Sequence, residues 1–187
     1  MTSDRFDDAL SYASRLHRSQ RRKGANIPYI SHLLSVCALV IEYGGDEDQA
    51  IAGLLHDAVE DQGGMDAARD IEARYGPRVA RIVLECSDND GHTKPKWRDR
   101  KEAYLSGITD KSDDAVLVTA CDKLHNATTI LHDLQSIGPD VFNRFTGRRD
   151  GTLWYYRALA DTLAARQPGP LAARLSAMVT QIERAAC

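Results

Sequence analysis

The chain has 187 residues, of which 43% are hydrophobic, and its formal net charge at neutral pH is −3. This length and composition suit a globular protein with a sizeable core and exclude intrinsic disorder, and the slightly negative charge argues against binding to nucleic acid polymers. The four cysteines are far apart and form no CxxC pair, which is typical of a reducing compartment. The sequence has no apolar run of membrane-spanning length and no apolar signal region, so we expect a cytoplasmic protein without a membrane partner.

Apolar residues recur at helical spacing along almost the whole chain, and no segment has the alternation of a strand. Glycine pairs and Gly-Pro steps separate the predicted helices. The predicted helices cover approximately residues 3–18, 28–43, 46–62, 65–75, 78–86, 97–106, 113–134, 150–166 and 170–186. Without a repeat or a linker in the sequence, this pattern predicts an all-α fold with a single domain over residues 1–187.

The most informative segment is His56-Asp57-Ala58-Val59-Glu60-Asp61, which follows the apolar run 49–55. If the helix continues, its four polar side chains can line one broad face. Burying so much charge at the end of a core helix requires a cation, a substrate or solvent to offset the cost. The segment therefore predicts a metal-centred hydrolase, whereas the alternative is a core histidine beside surface carboxylates.

Two further residues in or beside predicted apolar helices, His32 and Asp122, can complete a ligand set with His56 and Asp57. Two imidazoles and two carboxylates form a mixed nitrogen and oxygen site suited to Mn, Fe or Zn. Such a site also leaves room for a water molecule or phosphate oxygens.

The order of a histidine, a His-Asp doublet and an aspartate on three helices resembles the HD-domain phosphohydrolases. More narrowly, the chain resembles the hydrolase half of Rel/SpoT alarmone enzymes and the stand-alone small alarmone hydrolases, over roughly residues 5–160. Four motifs carry this resemblance: Gln20-Arg21-Arg22-Lys23, Pro28-Tyr29-Ile30-Ser31-His32, the His56 to Asp61 segment, and Asp122-Lys123-Leu124-His125-Asn126. The resemblance implies a helical HD-domain bundle that uses Mn²⁺ to remove pyrophosphate from the 3′ position of (p)ppGpp.

Glu60 and Asp61 are the expected catalytic acids, because they follow the metal-binding doublet and can orient or deprotonate a water molecule. Their alternative is a solvated acidic helix end. Arg22 and Lys23 are expected to bind the nucleotide, arginine by stacking or by forked hydrogen bonds and lysine as a compact charge. The alternative for both is a solvated basic loop.

Three further substrate contacts are expected. Lys123 and Asn126 share a helix with Asp122 and can reach ribose or phosphate, although Lys123 can equally form a structural ion pair. The resemblance suggests a tyrosine in the nucleotide pocket, for which we select Tyr156, while core packing is the alternative for that aromatic run. The histidines outside the ligand set, His17, His92, His125 and His132, are given no role.

Some positions depart from the family pattern. Leu33 follows His32 where the family usually has proline, and His125 stands where tyrosine is common. The segment 87–97 also differs, so the base can be guanine or, as in (p)ppApp, adenine. Two rival functions are a general HD nucleotidase acting on 5′-phosphates or NADPH, and a non-catalytic nucleotide-binding regulator, which would be expected to have lost a ligand or an acid. The pattern gives no oligomeric state.

Overall fold

The computed structural model describes residues 3–87 and 96–187. Within these ranges the backbone forms nine α-helices and no β-strand, which confirms the all-α prediction. In chain order, α1 to α9 are Asp4–Leu16, Ile30–Glu42, Glu47–Leu55, Gly64–Tyr75, Pro77–Cys86, Trp97–Gly107, Asp113–Ile137, Arg148–Arg166 and Pro170–Ala185. Residues 88–95, which make up most of the segment 87–97 that departs from the family pattern, lie outside the described residues.

Contacts between residues divide the chain into two compact units. The first unit consists of residues 1–93 and 112–121, and the second unit consists of residues 94–111 and 122–187. The longest helix, α7, passes from the first unit to the second between Cys121 and Asp122. That the whole chain forms one domain stays a prediction.

In the first unit, close packing explains why the turn between α2 and α3 contains a glycine at position 45. A Cβ on Gly45 would lie 2.5 Å from Val40 Cγ1 and 2.8 Å from the Val40 carbonyl oxygen, so the close approach requires glycine. A capping box then starts α3: the Asp46 carboxylate accepts from the Gln49 backbone N–H at 3.0 Å, and Gln49 Oε1 accepts from the Asp46 N–H at 2.8 Å. The buried apolar run that follows, residues 50–55, directs the end of α3 into the core.

The helix that carries the acidic segment differs from the prediction. We expected a regular helix through Asp61 to the glycine pair 63–64, but α3 ends at Leu55 and a π-helical turn occupies Val59–Gly63. Gly64 then has a left-handed φ of 55° and begins α4 without a loop. π-Helical turns inside helical segments are frequent at functional sites because they change the direction of side chains.

In the second unit, the Trp97 ring lies over the start of α8. A Cβ on Gly147 would come within 2.6 Å of this ring and a Cβ on Gly151 within 3.0 Å, so both glycines make room for the indole. The other tryptophan, Trp154, is 6.2 Å away between ring centroids and is covered by the Arg98 guanidinium at 3.2 Å. These contacts join α6 to α8.

All four cysteines are free thiols; Cys37 and Cys121 are buried and Cys187 is exposed. None of the described helices is long and apolar enough to cross a membrane. The cytoplasmic location stays a prediction.

Arg78 of α5 holds together three elements of the first unit. Its Nε and Nη2 donate to the Asp114 carboxylate of α7 at 2.9 and 3.0 Å, and its Nη1 donates to Asp46, the N-cap of α3, at 2.6 Å. The forked pair with Asp114 uses the planar geometry of the guanidinium. These contacts hold the starts of α3 and α7 beside α5.

We predict that Arg78→Ala lowers the free energy of unfolding by about 1 kcal/mol, because the forked pair is lost from a partly exposed site. Denaturant unfolding of the metal-free protein measures this change. Arg81→Ala is the control, since Arg81 is more exposed and lies 3.7 Å from Asp114 and 3.8 Å from Glu85. A loss as large for Arg81→Ala as for Arg78→Ala would contradict the prediction.

Candidate metal centre

Three predicted ligands converge in the first unit. His32 comes from the first turn of α2, while His56 and Asp57 directly follow α3. Asp57 Oδ2 lies 3.1 Å from His56 Nε2 and 3.5 Å from His32 Nε2, and one ligand atom from each residue lies within 4.8 Å of the others. Both imidazoles are buried, with exposed fractions of 1% and 3%.

A second glycine allows α2 and α3 to approach closely enough for this arrangement. A Cβ on Gly53 would lie 3.3 Å from the Cys37 Cα, so a side chain at this position would push the two helices apart. The Gly53 carbonyl oxygen also accepts from His56 Nδ1 at 2.9 Å. The same residue therefore sets the spacing of the ligand helices and the orientation of one ligand.

The hydrogen bond to Gly53 identifies the tautomer of His56. A carbonyl oxygen only accepts, so His56 Nδ1 carries the proton, and in the neutral ring Nε2 presents a lone pair. That lone pair faces the carboxylate oxygen of Asp57 at 3.1 Å, a repulsive arrangement unless a cation lies between the two atoms. The donor set and this geometry fit a divalent metal held by Nε2 of both histidines and by Asp57.

Tyr29 supports the same carboxylate from outside. Its hydroxyl donates to Asp57 Oδ2 at 2.6 Å, and its ring stacks on His17 with centroids 5.4 Å apart. Partners of this kind orient metal ligands and affect metal affinity. Tyr29 lies in a motif that the sequence singled out, but its contact with Asp57 was not predicted.

Glu60 and Asp61, the predicted catalytic acids, lie in the π-helical turn after the ligands. The Asp61 N–H donates to the Asp57 carbonyl oxygen at 2.9 Å, and Asp61 Oδ2 accepts from Gln20 Nε2 at 2.7 Å. Desolvation raises the pKa of the Asp61 carboxyl, the Gln20 hydrogen bond opposes this change, and the Asp57 carboxylate adds to it. Asp61 therefore binds a proton more tightly than an ordinary aspartate, as is common for acids at active sites.

The basic loop between α1 and α2 is closed at its base. The Tyr29 N–H donates to the Gln20 carbonyl oxygen at 3.1 Å, and the Arg22 N–H donates to the Ile27 carbonyl oxygen at 2.9 Å. The Arg22 guanidinium lies over the Tyr29 ring, 5.6 Å from its centroid, whereas Lys23 is exposed. The loop thus places one of its two predicted substrate contacts beside a residue that touches Asp57.

The remaining predicted residues belong to the second unit. Asp122 is buried, with Oδ1 accepting from Asn126 Nδ2 at 2.5 Å and Oδ2 lying 2.7 Å from the Lys123 ammonium. Burial alone would lower the pKa of Lys123, but the Asp122 carboxylate raises it well above its usual value. The Lys123 ammonium also lies 5.2 Å from the centroid of the Tyr104 ring. This geometry favours the ion-pair interpretation of Lys123, and its contact with substrate stays a prediction.

Tyr156 lies on α8, half-buried, with its ring 5.6 Å from that of Tyr155 in a T-shaped arrangement. Its place in the nucleotide pocket stays a prediction. Asp122 as the fourth ligand also stays a prediction, because it rests on the motif pattern.

Comparison with known proteins agrees with this geometry. Residues 9–153 match the HD domain family. The chain is 33% identical over 165 residues to the guanosine-3′,5′-bis(diphosphate) 3′-pyrophosphohydrolase MESH1 of Drosophila melanogaster, covering 86% of each chain. It is 36% identical over 137 residues to the human protein of the same name, covering 71% of each.

Two solved structures are also similar. One is described as a metazoan ortholog of SpoT that hydrolyzes ppGpp, with a TM-score of 0.77 and 30% identity over 98% of this chain and 96% of that one. The other, lmo0812 from Listeria monocytogenes EGD-e, has a TM-score of 0.70 and 27% identity over 82% of this chain and 99% of that one. The chain belongs to the HD domain family, and the resemblance predicted from its motifs is confirmed.

We predict that the purified wild type carries a divalent metal and that His56→Ala loses it, because the substitution removes a buried ligand. Elemental analysis of both proteins measures the metal content. His132→Ala is the control, because His132 is exposed and lies outside the cluster, and it should keep the wild-type content. Equal metal content in the wild type and in His56→Ala would show that the site is assigned to the wrong residues.

The raised pKa of Asp61 leads to a prediction about stability. The folded protein holds this proton more tightly than the unfolded chain, so the contribution of Asp61 to stability is lost as pH rises through its folded pKa. At neutral pH in the presence of a chelator, Asp61→Asn should therefore raise Tm, and the gain should disappear at acidic pH. Asp66→Asn, at a carboxylate whose side chain is 84% exposed, should bring no gain. An unchanged or lower Tm for Asp61→Asn at neutral pH would count against the assignment.

Proposed function

We propose that this protein is a metal-dependent hydrolase that removes pyrophosphate from the 3′ position of a guanosine alarmone, ppGpp or its pentaphosphate relative. The observation that carries the proposal is the convergence of His32, His56 and Asp57 beside an acid pair. It occurs in a chain that matches MESH1 over 86% of both lengths. We infer the substrate from the names of these relatives and the type of reaction from the side chains in the site.

His32, His56 and Asp57 would hold the metal, with Asp122 as a fourth ligand on the family pattern and Mn²⁺ as the proposed ion. When bound, this ion would polarise a phosphoryl oxygen and lower the pKa of bound water. Asp122→Asn should reduce the metal content of the purified protein if this ligand set is right. The Lys123 ammonium and the Asn126 amide contact the two oxygens of this carboxylate and would fix its orientation.

Glu60 and Asp61 would hold and deprotonate the attacking water. They lie three and four residues after Asp57 and are not ligands themselves, so they can accept a proton from the nucleophile without leaving the metal. Because its pKa is raised, Asp61 is a better proton acceptor than an ordinary aspartate. Its carboxylate is also held in one direction by the amide of Gln20.

The cationic loop would bind the anionic part of the substrate. Arg22 and Lys23 would contact the phosphates or the base, and the Arg22 guanidinium lies over the ring of Tyr29, whose hydroxyl contacts Asp57. We also propose Lys123, Asn126 and Tyr156 as substrate contacts, on the family pattern. Of the segment 87–97, which the sequence associated with the choice of base, residues 88–95 lie outside the described residues.

The proposal is tested by incubating the Mn²⁺-loaded protein with ppGpp, ppApp, NADPH and a 5′-mononucleotide and following the released products. We expect pyrophosphate from ppGpp, and no cleavage of substrates that lack a 3′-phosphoryl group. Glu60→Gln and Asp61→Asn should keep the metal and lose kcat by about a hundredfold or more, since they remove the proton acceptor without removing a ligand.

Different products would lead to a different conclusion. Orthophosphate alone, or faster cleavage of the 5′-mononucleotide, would identify a general nucleotidase instead. Near-normal kcat in both acid variants would assign the water-activating role to other residues. Faster turnover of ppApp than of ppGpp would keep the reaction but change the base.

A further inference from the structure

We infer that Gln20 is a positioning residue for the acid Asp61, and that His17 fixes the direction in which Gln20 acts. The inference rests on the proposed function, because it gives Asp61 a part in the reaction. It concerns two side chains that the motif analysis left without a role, although Gln20 begins one of the four motifs.

The carboxamide of Gln20 has hydrogen-bond partners on both sides. Its Nε2 lies 2.7 Å from Asp61 Oδ2, and its Oε1 lies 2.6 Å from His17 Nδ1 and 2.5 Å from Gln62 Nε2. An ionised carboxylate only accepts, so the amide nitrogen must face Asp61 and the amide oxygen must face His17. His17 Nδ1 must then be the donor, which defines one tautomer of the neutral imidazole.

His17 is suited to hold this arrangement. It is buried, with 2% exposed, and its ring stacks on Tyr29, so the imidazole has little freedom to rotate away from Gln20. The Gln20 backbone is also fixed, because its carbonyl oxygen accepts from the Tyr29 N–H at 3.1 Å. The Gln20 amide is therefore held through both its side chain and its backbone, independently of its contact with Asp61.

Asp61, in contrast, lies in a π-helical turn, and although the residue as a whole is exposed, neighbouring groups partly desolvate its carboxyl group. Without a donor, a carboxylate that core packing does not enclose samples several rotamers, and a general base acts only within hydrogen-bond reach of the proton it removes. The Gln20 amide selects one orientation of Asp61 through a charge-assisted hydrogen bond. Since Gln20 also begins the loop that carries Arg22, this contact couples the cationic loop to the acid.

Two substitutions separate positioning from a merely structural role. Gln20→Ala removes the whole amide. Gln20→Glu keeps an oxygen that accepts from His17 and Gln62 but places a carboxylate against Asp61 in place of the donor. We expect both variants to lose kcat on ppGpp by about tenfold or more with little change in KM or metal content, as for a misplaced catalytic group. If Gln20 serves only to anchor His17, Gln20→Glu will retain wild-type kcat, and the inference is overturned.

A double-mutant cycle tests whether the effect passes through Asp61. In an Asp61→Asn background, Gln20→Ala should cause no further loss of kcat, because the group that Gln20 positions is already inactive. Multiplicative losses would refute the coupling. Gln167→Ala, at an exposed glutamine that ends α8, is the control and should leave kcat unchanged.

The geometry is also tested without substrate. In the metal-free wild type, ¹⁵N NMR should show His17 as the Nδ1-protonated tautomer, and Gln20→Ala should reduce that preference. An Nε2-protonated His17 in the wild type would overturn the inference whatever the enzyme hydrolyses. Conversely, a wild type that releases no pyrophosphate from ppGpp refutes the proposed function and leaves this measurement as the test of the Gln20 contact.

Discussion

The arrangement of the site depends on one contact between groups that repel each other when no cation is present. His56 Nε2 and Asp57 Oδ2 lie 3.1 Å apart, and the hydrogen bond from His56 Nδ1 to Gly53 turns the lone pair of Nε2 toward the carboxylate. The first unit holds this geometry because α2 and α3 approach closely at Gly53 and are buried along the facing surface. The free energy of core packing thus keeps the three predicted ligands together without a metal, which is the usual meaning of a preorganised site.

Neighbouring residues orient the carboxylates of Asp57 and Asp61 and leave their negative charge in place. Tyr29 donates to Asp57, and Gln20 donates to Asp61, so each carboxylate has a neutral donor from the segment that precedes α2. Neutral donors orient a carboxylate without cancelling its charge, whereas an arginine or lysine would compete with the metal or reduce the basicity of the acid. In the second unit Asp122 has a charged partner, Lys123, and an amide partner, Asn126.

The sequence predicted most of the helices, because helical periodicity and glycine breaks are local patterns. It also singled out His32, His56 and Asp57, which the structure brings together, whereas their role as metal ligands stays a prediction. It did not predict the π-helical turn at Val59–Gly63, since nothing in those five residues distinguishes it from a regular helix followed by a glycine stop. Gln20 and His17 also could not be assigned from sequence. Asp61, the partner of Gln20, is 41 residues further along the chain, and His17 reaches it through Gln20. The packing of α1 against α3 brings the segments that follow these two helices together.

For Lys123 the sequence left two interpretations, and its burial favours the ion pair, while its contact with substrate stays a prediction. The side chain of a lysine in the middle of a helix can extend toward solvent and a substrate, or it can pair with a carboxylate on its own helix. The sequence around Lys123 does not distinguish these two arrangements. The structure places its ammonium beside Asp122 and the ring of Tyr104, where a charge without a partner would be costly.

The positions of the two tryptophans have a practical consequence. The chain contains only Trp97 and Trp154, and both belong to the second unit. Intrinsic indole fluorescence therefore reports on the second unit alone. Because the Trp97 ring packs against Gly147 and Gly151, its emission is sensitive to the packing of α6 on α8. Far-ultraviolet circular dichroism reports on helices of both units. If the two signals lose their native values at different denaturant concentrations, the units unfold separately; coincident transitions would mean that they unfold as one cooperative structure.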